Sequence, residues 1–182
     1  MIYADHAATT KISETAKLAM LSAMEKDWYN PSSLYTPGQQ ASGTLMDARV
    51  RIAHCLGCLP KEIYFTSGGS EADNQAILSA AAIGKRQGKM HIISTAFEHH
   101  AVLHTLKKLE KEGFEITLLD VGEKGIVSPV QVEKAIRPDT ILVTVMYANN
   151  EIGTIQPIRE IGAICRKNGV LFHTDAVQAA GH

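Results

Sequence analysis

The 182-residue sequence contains few cysteines, few aromatic residues and almost no excess of charge of either sign. Its three cysteines are too few for a disulfide framework, as is usual for a protein of a reducing compartment. With 18 basic and 19 acidic side chains, the net charge of -1 gives no indication of a basic surface that would bind nucleic acid. The sequence also lacks a secretion signal and any apolar run near the ~20 residues that a bilayer requires. We therefore expect a cytoplasmic protein that binds neither nucleic acid nor membranes.

Hydrophobic residues make up 45% of the sequence, which is enough to bury a core. After residue 60, short runs rich in β-branched residues alternate with longer segments of helical character. Five runs are predicted strands: Glu62 to Thr66, Met90 to Ser94, Phe114 to Leu119, Ile141 to Met146 and Val170 to His173. Capping, glycine and proline signals predict helices at Ser13 to Met24, Gln39 to Leu56, from Ser70-Glu71 to near Gly84 to Gly88, and from Pro157 to Asn168-Gly169. The alternation predicts an α/β fold with a mainly parallel sheet and flanking helices.

Polar residues follow four of the predicted strands. In an open parallel sheet, ligands bind beyond the carboxyl ends of the strands, so these positions are the candidates for a functional site. They are Ser67 to Ser70, Glu98 to His100, Asn149 to Glu151, and Asp175 with Gln178.

The segment "FTSGGSEADN" places two glycines between a predicted strand and a predicted helix. Glycine allows close approach of a ligand, and the unpaired N–H groups of a helix N-terminus favour an anion such as phosphate. The lysine of a P-loop and the three-glycine dinucleotide fingerprint are both missing. The alternative is a tight strand-to-helix turn with a serine cap.

Two groups of histidines and cysteines have a spacing that could in principle hold a metal ion. His99 and His100 precede a predicted helix, and His104 lies one turn further, but no HExxH pattern or matching cluster accompanies them. A capping role or an exposed imidazole face is favoured instead. Cys55 and Cys58 form a CxxC pair at the end of an apolar helix, and we predict buried structural cysteines there.

Asp175 follows the last predicted strand, at the end of an apolar approach. Burying a carboxylate without a cationic partner costs several kcal/mol, so a positive group is expected beside it. A structural salt bridge to Arg or Lys is the alternative to a functional role.

Six segments, in this order and at these separations, resemble the N-terminal part of cysteine desulfurases: "YADHAATT", "NPSS", "FTSGGSEADN", "EHHAVL", "ANNEIGTIQPI" and "FHTDAVQ". These enzymes are the NifS-like group of the class V pyridoxal-phosphate aminotransferases. The resemblance implies an incomplete large domain of a fold-type I pyridoxal-phosphate enzyme. Residues 1–12 would be an N-terminal segment, and residues 13–182 the N-terminal part of the cofactor-binding large domain.

The resemblance also implies roles for individual residues. Gly69 and Ser70 correspond to the turn that binds the cofactor phosphate, and His99 to the catalytic histidine that stacks on the pyridine ring. Three further cofactor-binding positions follow: Asn150 near the 3-hydroxyl group and the substrate carboxylate, Gln178 as a donor to that hydroxyl, and Asp175 beside the ring nitrogen. An anion beside that nitrogen favours the protonated ring, which can accept electrons from a substrate carbanion.

By the same resemblance, the reaction removes sulfur from L-cysteine to give alanine and an enzyme persulfide, and the relatives are homodimers that pass sulfur to an iron–sulfur scaffold or another acceptor protein. In this family the lysine that holds the cofactor follows the aspartate by some two dozen residues, and the persulfide cysteine and substrate-binding arginine lie further on. The 182 residues end before that lysine, so we expect this chain alone to be inactive and to bind the cofactor non-covalently at best. Two alternatives stay open: a non-catalytic dimerisation or assembly module, and part of a selenocysteine lyase or another class V aminotransferase.

Overall fold

A computed structural model describes residues 2–181 and divides them into two compact units, one ending at Phe65 and the other beginning at Thr66. The first unit contains the helices α1 (Glu14–Lys26) and α2 (Thr36–Leu56), followed by a 3-10 turn at Pro60–Glu62. Both helices occur where the sequence predicts them. None of the helices formed by residues 2–181 is long and apolar enough to cross a membrane.

The second unit is a parallel sheet with helices between its strands. Its elements are α3 (Gly69–Gln87), β1 (His91–Thr95), α4 (His100–Lys111), β2 (Glu115–Leu119), α5 (Pro129–Ala135), β3 (Thr140–Thr144), α6 (Ile158–Lys167) and β4 (Leu171–His173). The strand order is β2-β1-β3-β4, and each neighbouring pair is parallel. The predicted α/β fold and parallel sheet are confirmed.

Successive side chains of a strand point to opposite faces of the sheet, and helices cover both faces. On one face, Ile92 and Leu142 pack in a core cluster with residues of α3 and α4. On the other, Ile93 and Val143 pack with residues of α5 and α6. Burial of one such side chain contributes about 1.5–3 kcal/mol, so the two layers together fix the strand ends firmly.

The predicted strand at Glu62 to Thr66 is wrong. Glu62 ends the 3-10 turn, and no regular structure follows until α3 begins. The side chains of Tyr64 and Phe65 are 75% and 48% exposed, respectively. A strand needs hydrogen bonds to a neighbouring strand, and no strand within residues 2–181 pairs with this segment.

The prediction of two buried cysteines in the CxxC pair is also wrong. Cys55 is exposed and Cys58 is partly exposed, whereas Cys165 is buried in α6. Gly57, between the pair, adopts a left-handed conformation with φ of +67° and ends α2 there. The chain therefore leaves the helix at the pair, and no core forms around it.

Candidate functional site

The candidate residues lie beyond the carboxyl ends of three adjacent strands and at the start of α3. His99 follows β1, Asn150 follows β3, and Asp175 follows β4. Because neighbouring strands are parallel, these three positions lie at one edge of the sheet. Three of the four polar groups therefore follow strands that end at one edge of the sheet, whereas the fourth, Ser67 to Ser70, follows a segment that is not a strand.

The turn at the start of α3 approaches the segment that follows β4. A Cβ atom placed on Gly69 would lie 2.6 Å from Cγ2 of Val177, closer than carbon atoms approach one another in proteins. Glycine at this position therefore allows the turn to lie against the segment from Asp175 to Gln178. Gln178 is partly buried in that segment.

The same turn is shaped by a carboxylate rather than by a serine cap. Gly68 is the N-cap residue of α3 and has no side chain to cap it. One carboxylate oxygen of Glu71 instead accepts hydrogen bonds from the backbone N–H and the hydroxyl of Ser67, both at 2.6 Å. These bonds lower the pKa of Glu71, the side-chain bond most. Ser70 remains exposed, and its carbonyl accepts a bond of 2.6 Å from Asn74.

Asp175 is a buried carboxylate with only 8% of its surface exposed. Its Oδ1 accepts a hydrogen bond of 2.9 Å from the N–H of Val177, and its carbonyl accepts one of 2.8 Å from Tyr147. Among residues 2–181, no lysine or arginine forms an ion pair with it. The salt-bridge alternative thus finds no partner in the described part of the chain.

His99 and Asn150 line one cavity of about 460 Å³. His99 is the N-cap residue of α4, where its Nδ1 accepts a hydrogen bond of 3.1 Å from the N–H of Ala101. The predicted capping role is confirmed. An acceptor at Nδ1 requires the proton of the neutral ring to be on Nε2. The ring is exposed, so that N–H remains a donor at the cavity.

Asn149, the neighbour of Asn150, is a structural residue. Its Oδ1 accepts hydrogen bonds of 2.9 and 3.0 Å from the N–H groups of Glu151 and Ile152. Its amide nitrogen donates a bond of 3.1 Å to the carbonyl of Phe97 in the loop after β1. Asn149 therefore ties the loop after β3 to the loop that carries His99, which explains how the two sides of the cavity are held.

Two polar arrangements, the contact between His173 and Asp73 and the burial of Glu98, are not predicted by the sequence. His173 lies 3.5 Å from a carboxylate oxygen of Asp73, and its Nδ1 lies 2.8 Å from the hydroxyl of Thr144. Glu98, directly before His99, is only 4% exposed. The sequence marks Glu98 as a polar residue after a strand, but charged residues are mostly exposed, so nothing local indicates its burial.

Metal binding receives no support from the described part of the chain. Residues 2–181 include no group of three or more His, Cys, Asp or Glu side chains that could hold an ion. The rings of His100 and His104 stack with centroids 5.5 Å apart along the exposed start of α4.

Comparison with known proteins gives one family. The family model described as "Aminotransferase class-V" matches residues 2–182. Cysteine desulfurase IscS of Methanosarcina thermophila is 51% identical over 181 residues, which are 100% of this chain and 45% of that protein. Putative cysteine desulfurase IscS 1 of Bacillus subtilis (strain 168) is 52% identical over 180 residues, which are 99% of this chain and 47% of that protein.

Solved structures give the same result. A structure titled "NIFS-LIKE PROTEIN" has a TM-score of 0.92 and 37% identity, covering 97% of this chain and 49% of that one. Another, titled "SspA in complex with cysteine", has a TM-score of 0.91 and 40% identity, covering 97% and 51%. The chain spans about half the length of the relatives it matches, which is consistent with the N-terminal portion that the sequence motifs indicate.

Proposed function

Because the chain belongs to the class V aminotransferase family, we propose that it forms the N-terminal part of a cysteine desulfurase that depends on pyridoxal phosphate. Such an enzyme removes sulfur from L-cysteine and leaves alanine and an enzyme persulfide. The proposal rests on the similarity of nearly the whole chain to cysteine desulfurases, together with one feature of the site, the buried carboxylate of Asp175.

Asp175 supports a cationic ligand on energetic grounds. A carboxylate out of water costs several kcal/mol when no opposite charge or hydrogen bond compensates it. Asp175 has a single backbone N–H donor to its side chain at 2.9 Å and, within residues 2–181, no ion pair with lysine or arginine. A protonated pyridine nitrogen would supply both a positive charge and a donor. The residues present therefore fit pyridoxal phosphate.

The start of α3 fits the phosphate of the same molecule. The first N–H groups of a helix have no partners within it, and the helix dipole favours an anion there. Gly69 brings this turn against the segment that carries Asp175, so an anionic group and a cationic ring of one ligand would be bound side by side. We assign Gly69 and Ser70 to the phosphate on this basis.

The remaining candidates would orient the ring and move protons. When bound, pyridoxal phosphate supplies an electron sink for the bonds at the α-carbon of an amino acid. His99 would lie on the ring face, with its Nε2 holding the proton that it donates and recovers. Its Nδ1 is occupied by the N–H of Ala101, which fixes that tautomer. Asn150, in the wall of the same cavity, and Gln178, beside Asp175, would donate to the ring hydroxyl.

The wider setting follows from the same proposal. We infer that residues 13–182 belong to the large, cofactor-binding domain and that the complete enzyme is a cytoplasmic homodimer. Its sulfur would pass to an iron–sulfur scaffold or another acceptor protein.

The proposal is tested by titrating pyridoxal phosphate into the 182-residue chain and following the absorbance of the cofactor. We expect saturable binding that Asp175→Asn weakens about tenfold or more, since a tenfold change corresponds to about 1.4 kcal/mol and a paired buried charge is worth at least that. The matched control is Asp47→Asn, at an exposed carboxylate of α2, which should bind like the wild type. Equal affinity of the wild type and Asp175→Asn would refute the assignment of Asp175.

A further inference from the structure

Glu98 is a buried carboxyl group for which the proposed mechanism has no use. Its Oε1 accepts hydrogen bonds of 2.6 Å from the hydroxyl of Thr95 and 3.0 Å from the N–H of Met146. Its Oε2 is buried and has no hydrogen-bond partner among the described residues. A buried carboxylate oxygen without a donor is costly, whereas the O–H of a neutral carboxylic acid carries no charge.

Glu98 and Asp175 are anchored to consecutive residues of the chain that continues β3. The N–H of Met146 donates to the side chain of Glu98, and the N–H of Tyr147 donates to the carbonyl of Asp175 at 2.8 Å. The side chain of Glu98 and the backbone of Asp175 are thus held by neighbouring residues of one short segment. The negative charge of Asp175 contributes to raising the pKa of Glu98.

The other charged groups around Glu98 do not neutralise it. His173 faces it from β4 and lowers its pKa slightly, but this ring is already shared with Asp73 of α3 at 3.5 Å. On the cavity side, the lining adds His99 and His100, both exposed, and the exposed carboxylate of Glu151. Burial is the main cause that raises the pKa of Glu98 to about 7, and the charge of Asp175 adds to it.

We propose that Glu98 is a positioning residue that acts through Asp175, holding a proton while Asp175 lacks a cation and releasing it when a cationic ring binds there. This inference rests on the proposed function for the identity of the cation. The proton leaves Oε2 for solvent, and no other bond forms or breaks. A positive charge beside Asp175 offsets the negative charge of that carboxylate and so favours ionisation of Glu98. Binding of the cationic ring and release of the proton from Glu98 are therefore linked.

The first test needs no cofactor. With glutamate labelled at the side-chain carboxyl carbon, NMR follows the titration of Glu98, which is assigned by its absence from Glu98→Gln. We expect a midpoint near pH 7 in the wild type and a clearly lower midpoint in Asp175→Asn, because the neighbouring negative charge is gone. An unchanged midpoint in Asp175→Asn would overturn the inference.

The second test is calorimetry of pyridoxal phosphate binding in two buffers with different ionisation enthalpies. Relative to Glu98→Gln, the wild type should release an additional fraction of a proton per bound molecule near pH 7, where Glu98 is partly protonated, and almost none at pH 8.5, where it is already ionised. Glu110→Gln, which removes an exposed carboxylate of α4 that does not line this cavity, should behave like the wild type.

The two tests separate the inference from the proposed function. Identical proton release in the wild type and Glu98→Gln, with binding intact, overturns the role of Glu98 and leaves the proposed function standing. Absence of any binding overturns the proposed function and with it the cofactor-linked release. The coupling of Glu98 to Asp175 is then decided by the carboxyl titration alone.

Discussion

The burial of Glu98 leads to a pH dependence of stability that can be worked out in magnitude and sign. Its pKa is raised from the ordinary value of 4.5 to about 7 in the folded chain, chiefly by burial. Between these two values the folded chain binds more protons than the unfolded chain. The free energy of unfolding therefore falls as pH rises from 4.5 to about 7, and the loss is complete above the folded pKa.

The size of the effect follows from the same two pKa values. Each pKa unit corresponds to about 1.4 kcal/mol, so ionised Glu98 destabilises the folded chain by about 3 kcal/mol relative to the neutral acid. Glu98→Gln keeps the shape of the side chain and an acceptor oxygen for Thr95 and Met146, but it cannot ionise. The variant should therefore gain on the wild type as pH rises, by up to about 3 kcal/mol above pH 8.

Urea unfolding at a series of pH values between 4.5 and 8.5 measures this difference. The quantity compared is the free energy of unfolding of Glu98→Gln minus that of the wild type. A constant offset between the two proteins is irrelevant, because only the change with pH reports ionisation. A difference that stays flat across the whole range would refute the reasoning, since Glu98 would then titrate alike in the folded and unfolded chains.

Three further predictions follow from other contacts. Gly69→Ala should lower the affinity for pyridoxal phosphate by about 1 kcal/mol or more, because the added Cβ would lie 2.6 Å from Cγ2 of Val177. The double variant Gly69→Ala/Val177→Ala should regain the affinity, and a loss equal to the sum of the two single losses would contradict this explanation. Gln156→Leu should lower the free energy of unfolding, measured in urea, by about 2–4 kcal/mol, because the buried amide makes two hydrogen bonds to backbone groups of another loop. A loss below about 0.5 kcal/mol would show that these two hydrogen bonds contribute little to stability. In the native chain an alkylating reagent should modify exposed Cys55 and leave Cys165 intact until unfolding, since burial raises the pKa of Cys165 to about 11; peptide mass spectrometry distinguishes the two sites.

The two central strands of the second unit, β1 and β3, could be predicted because they are buried on both faces. A strand such as β1, buried at all five of its residues, reads as a short run of mostly β-branched residues between helix signals. The predicted run at Met90 to Ser94 accordingly differs from the observed strand by one residue at each end. The helix α5 was missed, because its seven residues are too short for a helical period to stand out.

The failure at Glu62 to Thr66 has a different physical cause. The residues favour an extended backbone, but local preference does not say whether a neighbouring strand exists. The same limit applies to the site: its positions after the strands were predictable, whereas its buried partners were not. His173 and Asp73 meet only because β4 and α3 are brought together by the fold.

The loop "ANNEIGTIQPI" shows why a specific motif need not consist of catalytic residues. The side chain of Asn149 forms hydrogen bonds with backbone groups of its own turn and of the loop after β1. The amide of Gln156 forms hydrogen bonds with backbone groups of another loop. Only Asn150, among these three, is exposed at the cavity. The motif therefore identifies the family mainly through the backbone that it holds in place.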